Sequence, residues 1–203
     1  WIHIVSWNGE EESSSDFSLD NNEGGRYAES DLGHCIAYYR FNSGSNDICD
    51  NDSAEVDLSV QNGASVGSGG KMGNGLILDG SDDYAIGPSN DLGDFVMASD
   101  WSIEAWVKGS STSSGVIFAI ADNDGNEEDD ELSIHFTSSN TLQVCSGGDT
   151  CAATTQTFDT DKWYHIAVTH DYINSLSDNI DIYINNKRVV SDNAFPDFRG
   201  EPG

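Results

Sequence analysis

Short apolar runs with a period of two, separated by clusters of Gly, Asn, Asp and Ser, limit the folds open to this chain more than any other feature. In Trp101-Ser-Ile-Glu-Ala-Trp-Val107 the alternation places Trp101, Ile103, Ala105 and Val107 on one face. In Ile180-Asp-Ile-Tyr-Ile184 the isoleucines share one face, with Asp181 and Tyr183 on the other. Further runs at 36–41, 75–78, 84–86, 115–121, 131–136, 141–144, 152–158 and 165–169 read as strands. Asn185-Asn186 follows the last run and suits a tight hairpin turn that needs positive φ. No apolar stripe of helical period is long enough for a helix. Many short strands with recurring turn signals predict an all-β fold, an antiparallel β-sandwich.

Charge narrows the partners. The chain of 203 residues carries 8 Lys+Arg against 36 Asp+Glu, a formal net charge of −28. Such a surface cannot neutralise phosphates, which excludes nucleic acid as a partner. It also excludes a polybasic grip on anionic lipid. No apolar run is long enough for membrane insertion of this segment. High charge can signal disorder, but 36% apolar residues and five Trp supply a core of ordinary size. The acids are spread over turns such as Asp82-Asp83, Asp91, Asp94 and 122–131. That dispersion fits a calcium-rich or saline (halophilic) medium, where screening relieves self-repulsion, and predicts stability that rises with salt or calcium.

The four Cys are even in number. Cys145 and Cys151 flank Ser-Gly-Gly-Asp-Thr, which reads as a strand–turn–strand with a disulfide across its neck. Cys35 and Cys49 flank a Ser/Gly/Asn stretch and are expected to form the second bridge. Of the three connectivities, Cys35–Cys49 with Cys145–Cys151 closes the shortest loops. Disulfides place the chain in an oxidising setting, extracellular or at the cell surface. Asn51-Asp-Ser is a glycosylation sequon at Asn51.

At the N-terminal end, Trp1-Ile-His-Ile-Val-Ser-Trp7 reads as one more strand, followed by an acidic, Asn/Glu/Gly-rich linker. The expected division is therefore an extension at 1–33 and a domain at 34–203.

Several segments, in order, resemble concanavalin A-like jelly-roll modules of the laminin G-like type. They are Ile36-Ala-Tyr-Tyr-Arg-Phe41 with Asn46-Asp47, Gly73-Asn-Gly-Leu-Ile-Leu-Asp-Gly-Ser-Asp-Asp-Tyr84, and Trp101-Ser-Ile-Glu-Ala-Trp-Val-Lys108. Asp161-Lys-Trp-Tyr-His-Ile-Ala-Val-Thr169 and Ile182-Tyr-Ile-Asn-Asn-Lys-Arg-Val189 complete the series. The resemblance implies a jelly roll over about residues 33–190. It also implies further strands after 184, ending in one that reads like Gly-x-Ile-Asp-Glu-Val-Arg-Ile, which this sequence lacks. The expected open edge has three explanations, taken in order: a fragment of a longer protein, filling by residues 1–7, or a strand donated by a neighbouring subunit.

The acidic loop Asp122-Asn-Asp-Gly-Asn-Glu-Glu-Asp-Asp-Glu131 is the metal candidate, because hard oxygen ligands in a Gly-containing loop suit Ca²⁺. Its expected ligands are Asp122, Asp124 and Asn126. Asp129-Asp-Glu-Leu-Ser-Ile134 is similar to a calcium-binding stretch of pentraxins, which implies Asp129 and Asp130 as ligands. Asp79, in Leu-Asp-Gly, is read as a turn-former. Trp7, Tyr84, Trp101, Trp163, Tyr164, His165 and His170 are candidates for stacking on sugar rings, most of them on buried faces. Tyr164 and Tyr183 are the better candidates for exposure. Glucanases of the same sandwich resemble one another in a Glu-x-Asp-x-x-Glu strand; here Asp178-Asn-Ile-Asp181 is the nearest pair and has no glutamates. Gly-x-Ser-x-Gly, His-Glu-x-x-His and Walker motifs do not occur. The Gly-rich stretch 67–75 reads as a connection between strands.

The expected function is a non-catalytic extracellular adhesion module recognising a glycan or a protein ligand, with calcium assistance. The alternative is a structural subunit that self-associates into a filament by strand donation.

Overall fold

A computed structural model describes residues 2–7, 35–42, 44–46, 57–87, 100–109, 114–120, 132–146, 150–174 and 177–195. Among them lie β1 (Ile2–Trp7), β2 (Cys35–Tyr39), β3 (Ser59–Gln61), β4 (Ser65–Ser68), β5 (Asn74–Ile77), β6 (Tyr84–Ile86) and β7 (Asp100–Val107). They continue with β8 (Gly115–Ile120), β9 (Leu132–Phe136), β10 (Leu142–Ser146), β11 (Thr150–Ala153), β12 (Tyr164–Asn174), β13 (Ser177–Ile184) and β14 (Lys187–Phe195). No helix among the described residues is long and apolar enough to cross a membrane.

Alternation decides which face each strand buries. Trp101, Ile103 and Ala105 of β7, Ile166 and Val168 of β12, and Ile180, Ile182 and Ile184 of β13 are all 3% exposed or less. They belong to a six-stranded antiparallel sheet in the order β14-β13-β12-β7-β1-β2. A four-stranded sheet, β11-β10-β9-β8, supplies Ala152, Val144, Leu142, Ile134, Leu132 and Ile120 to the same apolar cluster. Two sheets sharing one core make a β-sandwich. Each fully buried aliphatic side chain contributes about 1.5–3 kcal/mol, so the core strands outweigh any single loop.

Asn185 and Asn186 turn β13 into β14 with φ of 50° and 66°, the left-handed pair that a two-residue hairpin needs. Cys145 and Cys151 are directly opposed in the β10–β11 ladder, bonded with Cα atoms 4.1 Å apart. Cys49 and Asn51 lie outside the described residues. The strand expected at 152–158 ends at Ala153. Thr154 leaves the ladder because its Oγ1 accepts from Leu142 N at 3.0 Å while its own N–H donates to Leu142 O. Phe158 then enters the core and pairs its backbone with Asn140.

Two small ribbons, β3–β6 and β4–β5, stand outside the main sheets. β4–β5 occupies the Gly-rich stretch 67–75 and pinches tightly at its tip. A Cβ on Gly70 would lie 2.0 Å from Asn74 O, so only glycine fits.

Residues 2–7 are part of the main sheet. β1 lies between β7 and β2, with Ile4 registered against Ile103 on one side and Ala37 on the other. This is the kind of pairing that filling by residues 1–7 expects, and β14 and β2 are the edges of the sheet.

Candidate functional site

The outer face of the six-stranded sheet is built from the residues between the core positions. On β7 these are Ser102, Glu104 and Trp106; on β12, His165, Ala167 and Thr169; on β13, Asp181 and Tyr183. The register sets Trp106 opposite His165, Glu104 opposite Ala167 and Ala167 opposite Tyr183. Trp106 is half-buried, its ring 5.2 Å from the His165 ring and tilted by 55°. His165 Nε2 lies 3.3 Å from Glu104 Oε2. The Asn185 turn clamps this strand end: His165 N donates to Asn185 Oδ1 at 3.0 Å, and Asn185 N donates back to His165 O. Ala167 is the shortest side chain of its cross-strand row, between Glu104 and Tyr183.

Cations and carboxylates complete this face. The β4–β5 tip carries Lys71, whose Nζ stands 4.7 Å above the Trp106 ring. Lys108 Nζ stands 5.3 Å above the Trp163 ring, one step further along the same strand ends. Asp181 Oδ2 accepts from Tyr183 Oη at 3.2 Å and from Arg188 Nη1 at 2.9 Å. Burial pushes the Asp181 carboxyl up, but hydrogen bonds from Ser191, Arg188 and Tyr183 outweigh it and hold the group below the usual carboxylate range. The same pairing raises Arg188.

Several predicted residues fall elsewhere. Trp101 is buried at 2% exposure, stacked 5.0 Å from the equally buried His170. Tyr164, expected to be exposed, is half-buried. Its parity is that of Ile166 and Val168, and its ring meets Phe158 edge-on at 4.8 Å, while its hydroxyl accepts from Asp159 N. The hollow beside it has room for about one water, too little for a sugar ring. Tyr84 is exposed on the β3–β6 ribbon, and Tyr183 is half-buried on the outer face. Trp106 was absent from the stacking candidates, although its parity opposes that of Trp101, Ile103 and Ala105.

The predicted calcium ligands Asp122, Asp124, Asn126, Asp129 and Asp130 lie outside the described residues. Among the described residues, Asp79, Asp82 and Asp83 bring carboxylate oxygens within 4.8 Å of one another. Asp79 acts as a turn-former: its Oδ1 accepts from Ser81 N at 2.8 Å, and its own N–H donates to Asp83 Oδ2 at 2.9 Å. The three carboxylates offer part of the roughly six to eight oxygens that Ca²⁺ takes.

Two antiparallel sheets around one apolar core define an all-β sandwich. The sequence model of the concanavalin A-like lectin/glucanases superfamily, in its laminin G form, matches residues 79–201, and the chain belongs to that family. Among solved structures it is similar to domain 4 of AbnA, a GH43 extracellular arabinanase from Geobacillus stearothermophilus solved with arabinotriose. That match has a TM-score of 0.57 and 18% identity, covering 80% of this chain and 77% of the other. A candidate carbohydrate-binding protein from Bacteroides ovatus matches at a TM-score of 0.38 and 18% identity, over 48% of this chain. This chain spans 27% of that protein. No curated protein matches the sequence.

Proposed function

We propose that this chain is a non-catalytic glycan-binding module, with the outer face of its six-stranded sheet as the binding surface. The observation that carries the reading is the cross-strand pair Trp106–His165, an aromatic platform beside a polar ring on a face the core does not use. Sugars are held in this way, with apolar ring faces on aromatic planes and hydroxyls on polar neighbours. The fold it shares with an arabinanase domain solved with arabinotriose supports the same class of ligand.

The non-catalytic part of the reading is supported by the carboxylates on this face. A glycosidase needs one protonated and one ionised carboxyl flanking the bond. Asp181 is held below the usual carboxylate range by its hydrogen bonds, which does not suit it to be the acid.

An extracellular or surface location is part of the proposal and is supported by the Cys145–Cys151 bridge. Calcium assistance rests on the loop 122–131 and on the Asp79–Asp82–Asp83 cluster. Titration calorimetry with neutral and acidic oligosaccharides, arabinotriose included, tests the reading; a panel with no binder sinks it. A melting temperature that does not differ between calcium and chelator removes the calcium part alone.

A further inference from the structure

In a chain with 36 acids and 8 Lys+Arg, lysines are expected to pair with carboxylates. Lys162 does so, 2.6 Å from Asp159. Lys71 and Lys108 do not: both are exposed, and among the described residues each is held over a tryptophan ring, 4.7 Å from Trp106 and 5.3 Å from Trp163. Their two platforms are neighbours. Trp106 faces His165 across the β7–β12 ladder, and Lys108 and Trp163 lie two residues further along those chains. Strands rise about 3.3 Å per residue, which spaces the two lysine–tryptophan pairs by about 7 Å.

Resting on the glycan-binding reading above, we propose that this face selects anionic glycans, whose carboxylate or sulfate groups meet Lys71 and Lys108, the two ammoniums held over Trp106 and Trp163. An ammonium has three N–H donors, so one set over an aromatic face keeps others for a charge-assisted hydrogen bond. Glu104, 3.3 Å from His165 Nε2, and Asp181, paired with Arg188, are opposing charges on this face. The net charge of −28 acts against an anion. At about 0.15 M salt the Debye length is about 8 Å, so the lysines in contact dominate over distant acids.

The test is calorimetry at about 0.15 M salt with three oligosaccharides of matched length: neutral, uronate-containing and sulfated. Expected is binding of at least one anionic sugar about tenfold tighter than the neutral one. Lys71→Gln with Lys108→Gln should abolish the preference, so that the double variant binds the anionic and the neutral sugar with equal affinity to within about twofold. Tighter uronate than sulfate binding assigns the anion as carboxylate, and the reverse as sulfate; either supports the proposal. Equal affinity for neutral and anionic sugars, or a preference that survives the double substitution, overturns it while the glycan-binding reading stands. No binding of any sugar overturns both.

Discussion

β7 and β12 pair a tryptophan with a histidine twice, once on each side of the same sheet. Trp101 meets His170 at 5.0 Å on the inner face, with rings nearly parallel at 17°. Trp106 meets His165 at 5.2 Å on the outer face, tilted by 55°. The residue types, strands and cross-strand register are the same. Only the parity differs, and it gives the two pairs different jobs. The inner pair is enclosed by aliphatic side chains and adds to stability. The outer pair is half-buried, with Lys71 above it and Glu104 beside it, on the face that the core does not use.

The largest test of this contrast is truncation of each tryptophan. Trp101→Ala opens a cavity in the core and should cost about 3–5 kcal/mol in denaturant unfolding. That is a large share of the roughly 5–15 kcal/mol that holds a domain together. Trp106→Ala should cost about 1 kcal/mol. Equal costs would mean that Trp106 is a core residue and that the outer face is not a free surface.

Removing the Cys145–Cys151 bridge with Cys145→Ser and Cys151→Ser sharpens the contrast from the other sheet. It frees a loop with a sequence separation of 6 and should lower stability by about 2 kcal/mol. Sugar affinity measured below the unfolding transition should not change, because the bridge lies in the four-stranded sheet. A loss of binding in this double variant would couple the two sheets.

Next in size is binding itself. Trp106→Ala should weaken sugar affinity about fivefold to tenfold, the worth of one stacking platform of about 1 kcal/mol. Trp106→Phe should recover part of it. Unchanged titrations with the alanine variant would move the binding surface elsewhere.

How much of this was legible in the sequence follows from range. Trp101–Val107, Ile180–Ile184 and the Asn185-Asn186 turn were readable because alternation and turn chemistry act within a few residues. β3 and β4 were not: Ser-Val-Gln and Ser-Val-Gly-Ser each hold one apolar residue, too few to show a period. β14 follows from the turn, but its Lys-Arg start hides it from an apolar pattern. The insertion of β1 between β7 and β2 depends on register with distant strands. At the site, parity already separated Trp106 from Trp101 and set Tyr164 with Ile166. Lys71 over Trp106 was beyond reach, because it depends on how the pinched β4–β5 tip meets a strand some thirty residues away.

The smallest effect concerns the charge network at the rim of the outer face. Asp181 is depressed by Ser191, Arg188 and Tyr183, acting against its own partial burial. A carboxyl depressed in the folded state stabilises the fold above its unfolded pKa, near 3.8, and that stabilisation is lost as pH falls through the lower folded value. The other acids act with the opposite sign, because protonation relieves self-repulsion at −28. The stability of the native chain against pH therefore mixes the two, and the difference from Asp181→Asn isolates the first. That difference should be about 1 kcal/mol above about pH 5 and shrink below about pH 4. A gap that stays constant with pH would mean that the three donors serve an amide as well as a carboxylate. The rim would then be held by hydrogen-bond geometry alone, leaving the Trp106–His165 pair, Lys71 and Lys108 to give the outer face its electrostatic character.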